Sequence, residues 1–137
     1  MRVFFMDSEP ESLQFSVIAA QFDGKWIYVR HRERDTFEIP GGHIEPEESS
    51  FEAAVRELEE ETGAVDFTLY PLKKYAVERD GTTTYGELFY ADVTKLGDMP
   101  DFEMAERLLC SAPPAAQTYP TIQPMLFEYV CKWLGLK

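Results

Sequence analysis

The amino-acid sequence predicts an α+β fold, a mixed β-sheet covered by α-helices, and three observations carry that prediction. Two apolar, β-branched stretches turn back on themselves at Asp23-Gly24 and Asp80-Gly81, each a hairpin signature. A capped amphipathic helix is written between them, and a second helical period closes the chain. Strands on either side of a mid-chain helix call for a sheet with helices packed on it rather than a bundle.

The elements follow in order. Phe15 to Phe22 is apolar and β-branched, Asp23-Gly24 turns the chain, and residues 25–30 return as a second strand. Residues 36–39 alternate briefly before Pro40-Gly41-Gly42 interrupts them. Ser49 with Glu52 three residues later fits a capping box, and Gly63 suits the left-handed residue past a helix C-terminus. Between them Phe51, Ala54, Val55, Leu58 and Thr62 share one side at helical spacing, the side expected to pack on the sheet. Residues 75–78 and 85–93 form the second hairpin, 96–101 a loop, and 102–110 a short strand or irregular run. After the break at Ser111-Ala112-Pro113-Pro114, residues 121–134 repeat Ile122, Met125, Leu126, Val130 and Trp133 every three or four positions, a C-terminal helix.

Composition bounds the function. At 45% hydrophobic the 137 residues can form the core of one domain, expected to span residues 1–137, although 25 acids against 13 Lys and Arg leave a net charge of −12. Such a surface repels a phosphate backbone, so long nucleic acid is excluded as a nonspecific partner. No apolar run approaches the roughly 20 residues of a membrane span, and the N-terminus has no signal-peptide pattern, so neither membrane nor export is expected. Cys110 and Cys131 make neither a disulfide framework nor a close-spaced metal pair and read as free thiols of a reducing cytoplasm. The oligomeric state stays open, a homodimer among the options.

The acidity is concentrated. Between Gly42 and Gly63 eight glutamates face one arginine, a net −7 in one short stretch. Glu57, Glu60 and Glu61 stand at i, i+3 and i+4, so their carboxylates project from one helix face and repel one another by a few tenths of a kcal/mol per pair. A hard divalent cation, Mg²⁺ or Mn²⁺, relieves that repulsion; a solvated acidic face is the plainer alternative. Glu48 just before the helix can reach the same face, and Arg56 can orient the carboxylates or serve only as an exposed i, i+4 partner. Gly41-Gly42 lets the main chain approach a ligand closely.

Gly42, five residues, Glu48, seven residues, then Arg56-Glu57-Leu58-Glu59-Glu60-Glu61-Thr62-Gly63-Ala64 resembles the box of the Nudix hydrolases. That pattern is Gly, five, Glu, seven, Arg-Glu-aliphatic-any-Glu-Glu-any-Gly-aliphatic, and only Ala64 departs, being smaller than the usual last residue. Phe37-Glu38-Ile39-Pro40-Gly41-Gly42 resembles the usual lead-in, with Phe37 where Trp is common. The resemblance implies the Nudix fold, a mixed sheet sandwiched between helices. It also implies Mg²⁺ (Mn²⁺ as a substitute) and hydrolysis of a nucleoside diphosphate linked to another group. Glu57, Glu60 and Glu61 would be ligands, Glu48 a further ligand or an orienting group, and Arg56 the residue holding the carboxylates. Glu57 is one candidate base; many relatives recruit a downstream Glu, here Glu103 first and Glu106 second.

Substrate signals lie outside the box. Gly41 and Gly42 are expected against substrate. Arg30, His31, Arg32 and Arg34 form a basic cluster, of which Arg30 and Arg32 are candidate phosphate contacts, with a solvated loop as the alternative. His43 can touch substrate or simply finish the turn. The marks of ADP-ribose, coenzyme A and dinucleoside polyphosphate hydrolases are missing, leaving nucleoside triphosphates, oxidised purine nucleotides such as 8-oxo-dGTP included. The stretch from Gln117 to Pro124 looks like the tail of bacterial members of that branch. Some oxidised-guanine hydrolases read the base with an Asn; this chain contains none, Gln14, Gln21, Gln117 and Gln123 are its only other side-chain amides, and backbone groups or Asp can also read a base edge. A pyrophosphohydrolase acting on nucleotides, or on RNA 5′ ends, therefore stands beside a non-catalytic nucleotide sensor as the readings to separate.

Overall fold

The computed structural model describes residues 1–136. Its elements run β1 (Arg2–Met6), β2 (Phe15–Phe22), β3 (Lys25–His31), β4 (Gly41–His43), α1 (Ser50–Thr62), β5 (Ala64–Arg79), β6 (Thr82–Leu96), β7 (Met104–Cys110) and α2 (Gln123–Leu134). Seven strands form one sheet in the order β1-β5-β6-β2-β3-β7, with β4 on β2. The β2–β6 pair is parallel and the others antiparallel, so the sheet is mixed.

Period-two alternation along the central strands builds two cores. Ala19, Trp26, Tyr28, Leu88 and Tyr90 face α2 with Leu126 and Val130. Their neighbours Ile18, Ala20, Ile27, Phe89, Ala91 and Val93 face α1 with Ala54 and Leu58. The sheet is thus buried on both sides, as a helix–sheet–helix sandwich requires. Leu58 and Leu126 are fully buried, and each such side chain stabilises the fold by about 2 kcal/mol.

Four expectations change. Strand β1 escapes a sequence reading because Arg2-Val3-Phe4-Phe5-Met6 neither alternates nor adjoins a turn signal; it is specified by pairing with residues 74–78 of β5. Strand β5 begins eleven residues before Tyr75, at Ala64, and absorbs Pro71 at a register shift between Pro71 and Lys73. Residues 36–39 make only isolated bridges (Val29 with Glu38, Phe37 with Gln117), and the strand lies at Gly41–His43 where a break was expected. Pro40 has no N–H to extend a ladder, while Gly41 and Gly42 pair with Val17 and Ser16. On α1, Phe51 is 45% exposed, and Ala53 and Glu61 join Ala54, Leu58 and Thr62 on the buried side. Phe51 caps the edge of the core instead, its ring edge-on to Phe89 at 6.1 Å.

Candidate active site

Helix α1 is held at both ends, and this fixes its acidic face. The Ser49 hydroxyl accepts the Glu52 N–H and the Glu52 carboxylate accepts the Ser49 N–H, each at 3.0 Å, closing the capping box. The Ser16 hydroxyl of β2 donates to the Ser50 carbonyl at 2.7 Å. At the other end Gly63 takes φ 76° and its N–H bonds the Glu59 carbonyl, while Arg107 of β7 donates to the carbonyls of Thr62 and Gly97.

Strand β4 lies against this helix. A Cβ at Gly42 would stand 2.7 Å from Glu57 Oε1, so only glycine leaves room for the carboxylate. The Gly41 N–H donates to Glu61 Oε1 at 2.8 Å. Arg56 spans the cluster. Its Nε and Nη2 grip both oxygens of Glu48 at 2.8 and 2.9 Å, Nη1 reaches Glu57 Oε1 at 2.7 Å, and Nη2 also donates to the His43 carbonyl at 3.1 Å. Such a planar fork fixes carboxylates in orientation as well as charge.

Glu57, Glu60, Glu61, Arg56, Gly41, Gly42 and Glu103 together line a cavity of about 340 Å³. Burial pushes the Glu61 carboxyl up to about 9, with the Gly41 N–H pulling the other way and Glu57, Glu38 and Glu103 adding to the rise. Burial also raises Glu57, against Arg56. Arg56, helped by the Glu45 N–H, holds Glu48 down at about 2. Glu48, Glu57 and Glu60 pair with Arg56, and Glu61 lies buried with a backbone N–H for a partner; together they make a hard-oxygen donor set suited to a divalent cation of the Mg²⁺ or Mn²⁺ kind. Among the described residues no three acid side chains already converge on one point. Glu57, Glu60 and Glu61 line a common wall, and Glu48, with both oxygens engaged, orients Arg56 here.

A second cavity, about 560 Å³ and largely apolar, adjoins the first and shares Gly41, Gly42 and His43 with it. Phe15, Val17, Ile39, Tyr75, Tyr119 and Leu126 form its walls, and Glu38 and Gln123 also open onto it. Sequence reading missed this chamber because its residues come from β2, β5, α2 and the loop before it, all unremarkable as core positions. The available signals were the lead-in around Glu38 and the amide of Gln123.

Arg30 and Arg32 line neither cavity. Arg30 pairs with Glu106 at 2.8 Å and donates to the Arg34 carbonyl. Arg32 binds Asp101 at 2.6 Å and the Phe102 carbonyl at 2.8 Å, and its N–H meets the Glu103 carbonyl at 3.1 Å. In place of the expected phosphate contact, this cluster ties down the loop that delivers Glu103. Of the two downstream candidates, Glu103 reaches the acidic cavity and Glu106 does not.

The comparisons agree with this geometry. A curated Bacillus subtilis (strain 168) protein named "Putative 8-oxo-dGTP diphosphatase YtkD" is 38% identical over 85 residues, 62% of this chain and 53% of that protein, so the match spans about half of the relative's length. Among solved structures, a point mutant of the Bacillus subtilis pyrophosphohydrolase BsRppH is 26% identical with TM-score 0.82, covering 98% of this chain and 93% of that one. A NUDIX hydrolase from Nitrosomonas europaea is 23% identical with TM-score 0.72, covering 89% and 90%, a likeness of fold. Residues 12–107 match the NUDIX domain family, and the chain belongs to it.

Proposed function

We propose that the protein is a Mg²⁺-dependent hydrolase of nucleoside diphosphate-linked compounds, acting on (deoxy)nucleoside triphosphates, oxidised purine nucleotides such as 8-oxo-dGTP included. The observation that carries this reading is the meeting of an acidic cavity with an apolar one at Gly41–His43. A nucleotide has the same two halves, polyphosphate and base, joined through a short sugar. The relative named for 8-oxo-dGTP and the neighbour named a pyrophosphohydrolase support the same assignment.

In the reaction, water adds to a phosphorus, one P–O–P bond breaks, and a nucleoside monophosphate and pyrophosphate leave. A divalent cation held by Glu57, Glu60 and Glu61 would neutralise phosphate oxygens and acidify the attacking water. Arg56 keeps Glu48 and Glu57 in place, and the Gly41 N–H keeps Glu61 in place. Glu103 is proposed to take the water's proton. It lines the cavity, its side chain has no hydrogen-bond partner among the described residues, and Glu57 is already engaged by Arg56. Catalysis is then positioning and charge stabilisation. The free thiols Cys110 and Cys131 fit a reducing compartment such as the cytoplasm.

The rival reading is a sensor that binds nucleotide without turnover. A panel of nucleoside triphosphates, oxidised triphosphates, dinucleotides and short 5′-triphosphate RNA, incubated with Mg²⁺ and assayed for pyrophosphate and phosphate, decides between them. Pyrophosphate release that fails in Glu60→Gln is the expected result. Binding without turnover of any compound would establish the sensor.

A further inference from the structure

The acidic and the apolar cavity share Gly41, Gly42 and His43, and of these only His43 brings a side chain to the junction. A ligand that reaches from one cavity into the other passes that imidazole. Two side chains of the acidic cavity can donate a hydrogen bond through nitrogen, Arg56 and His43. Arg56 is committed: Glu48, Glu57 and the His43 carbonyl take its N–H groups. The His43 ring is exposed, and neither of its nitrogens has a hydrogen-bond partner among the described residues.

The ring is also held in place. His43 stands opposite Phe15 in the β2–β4 ladder, and the two rings meet edge-on with centroids 4.8 Å apart. On the main chain, Arg56 Nη2 donates to the His43 carbonyl at 3.1 Å, and the Ile44 N–H donates to the Gln14 carbonyl at 2.9 Å. An imidazole braced in this way needs little ordering when a ligand arrives. Packing alone does not call for it, since a phenyl ring would lie against Phe15 equally well.

Resting on the nucleotide reading above, we propose that His43 binds the α-phosphate, the one that carries the nucleoside, and so sets which phosphoanhydride bond lies at the acidic face of α1. A nucleoside triphosphate laid across the junction puts its outer phosphates in the acidic cavity and its base in the apolar one. The α-phosphate is the last anion before the sugar and falls at His43, whose N–H makes a charge-assisted bond to a phosphate oxygen. Glu45, Glu57, Glu60, Glu61 and Glu103 line the rest of the acidic cavity and offer such an oxygen no donor. With the α-phosphate fixed, the water's oxygen bonds to one phosphorus of the α–β bridge. The bond from that phosphorus to the bridging oxygen breaks, and the bridging oxygen keeps the electron pair. A monophosphate, pyrophosphate and one water proton result. A triphosphate displaced by one phosphate would be cut at the β–γ bridge instead, giving a diphosphate and orthophosphate.

Two variants separate this role from packing. His43→Phe keeps a ring against Phe15 and removes the N–H, whereas His43→Gln gives up the ring and keeps an N–H donor. With dGTP and Mg²⁺, chromatography of the wild-type products should show dGMP and pyrophosphate almost alone. In His43→Phe, kcat/KM should fall about tenfold and dGDP should rise to about a tenth of the product or more. His43→Gln should restore most of the wild-type product ratio. Diphosphate as the main wild-type product, an unchanged ratio in His43→Phe, or Phe outperforming Gln overturns the proposal. Calorimetry in Mg²⁺ with dGMP and deoxyguanosine reads the same contact without hydrolysis. His43→Phe should weaken dGMP about tenfold and deoxyguanosine by less than about twofold; equal changes in the two overturn the proposal. If no nucleotide is turned over, the hydrolase reading falls and calorimetry still decides this one. Turnover with the wild-type product ratio and affinities in both variants does the reverse.

Discussion

Replacing Glu61 with Gln should stabilise the cation-free protein at neutral pH while removing a ligand. The folded carboxyl titrates at about 9 against an ordinary 4.5 because it is buried beside other carboxylates. At pH 7 the unfolded chain carries it ionised and the native chain carries it protonated, so folding takes up a proton. At about 1.4 kcal/mol per pH unit above 4.5, that uptake costs about 3 kcal/mol at pH 7. Glutamine is neutral, of nearly the same size, and still accepts the Gly41 N–H, so the variant avoids the cost. The sign follows from the raised value: Glu61's contribution is fully present below about pH 4.5 and is lost as pH rises toward 9. Urea unfolding in EDTA at several pH values should therefore show Glu61→Gln matching wild type near pH 4.5. It should exceed wild type by about 3 kcal/mol at pH 7 and pull further ahead up to pH 9. Equal stabilities at pH 7, or a difference independent of pH, would refute the reasoning. Since a cation needs the ionised carboxylate, wild-type Mg²⁺ affinity should rise with pH across the same window.

Three further outcomes follow from the geometry. Gly42→Ala forces its Cβ against the Glu57 carboxylate, a side chain that can swing away; turnover should fall about 100-fold with little loss of melting temperature. Arg56→Lys loses the fork that grips Glu48 and Glu57, and kcat/KM should fall at least about tenfold with a higher Mg²⁺ requirement in a metal titration. Arg32→Ala frees the loop carrying Glu103, so kcat should drop several-fold while KM holds, read in steady-state kinetics.

The helix and its charge were legible because they are local. Ser49, Glu52 and Gly63 cap α1 through contacts three or four residues apart, and the spacing of Glu57, Glu60 and Glu61 fixes a shared face. What the sequence could not reveal depends on partners far along the chain. Strand β1 exists through β5, some 70 residues away. Arg32 seemed a free cation until the fold brought the 101–103 loop to it. Gln123 was one of four interchangeable amides, and its bond to Ile39, 84 positions earlier, is what sets it against the chamber. Glu61 illustrates the same limit: its place in the motif is local, but its burial comes from β4 packing over the helix.

The central claim is that the acidic face of α1 is a cation site. Crystals soaked with Mn²⁺ and a non-hydrolysable nucleoside triphosphate test it most directly, through the anomalous signal of the metal. The structure predicts a peak about 2 Å from carboxylate oxygens of Glu57, Glu60 and Glu61, with the base in the adjoining apolar chamber. No peak at saturating Mn²⁺, or one away from α1, would contradict it.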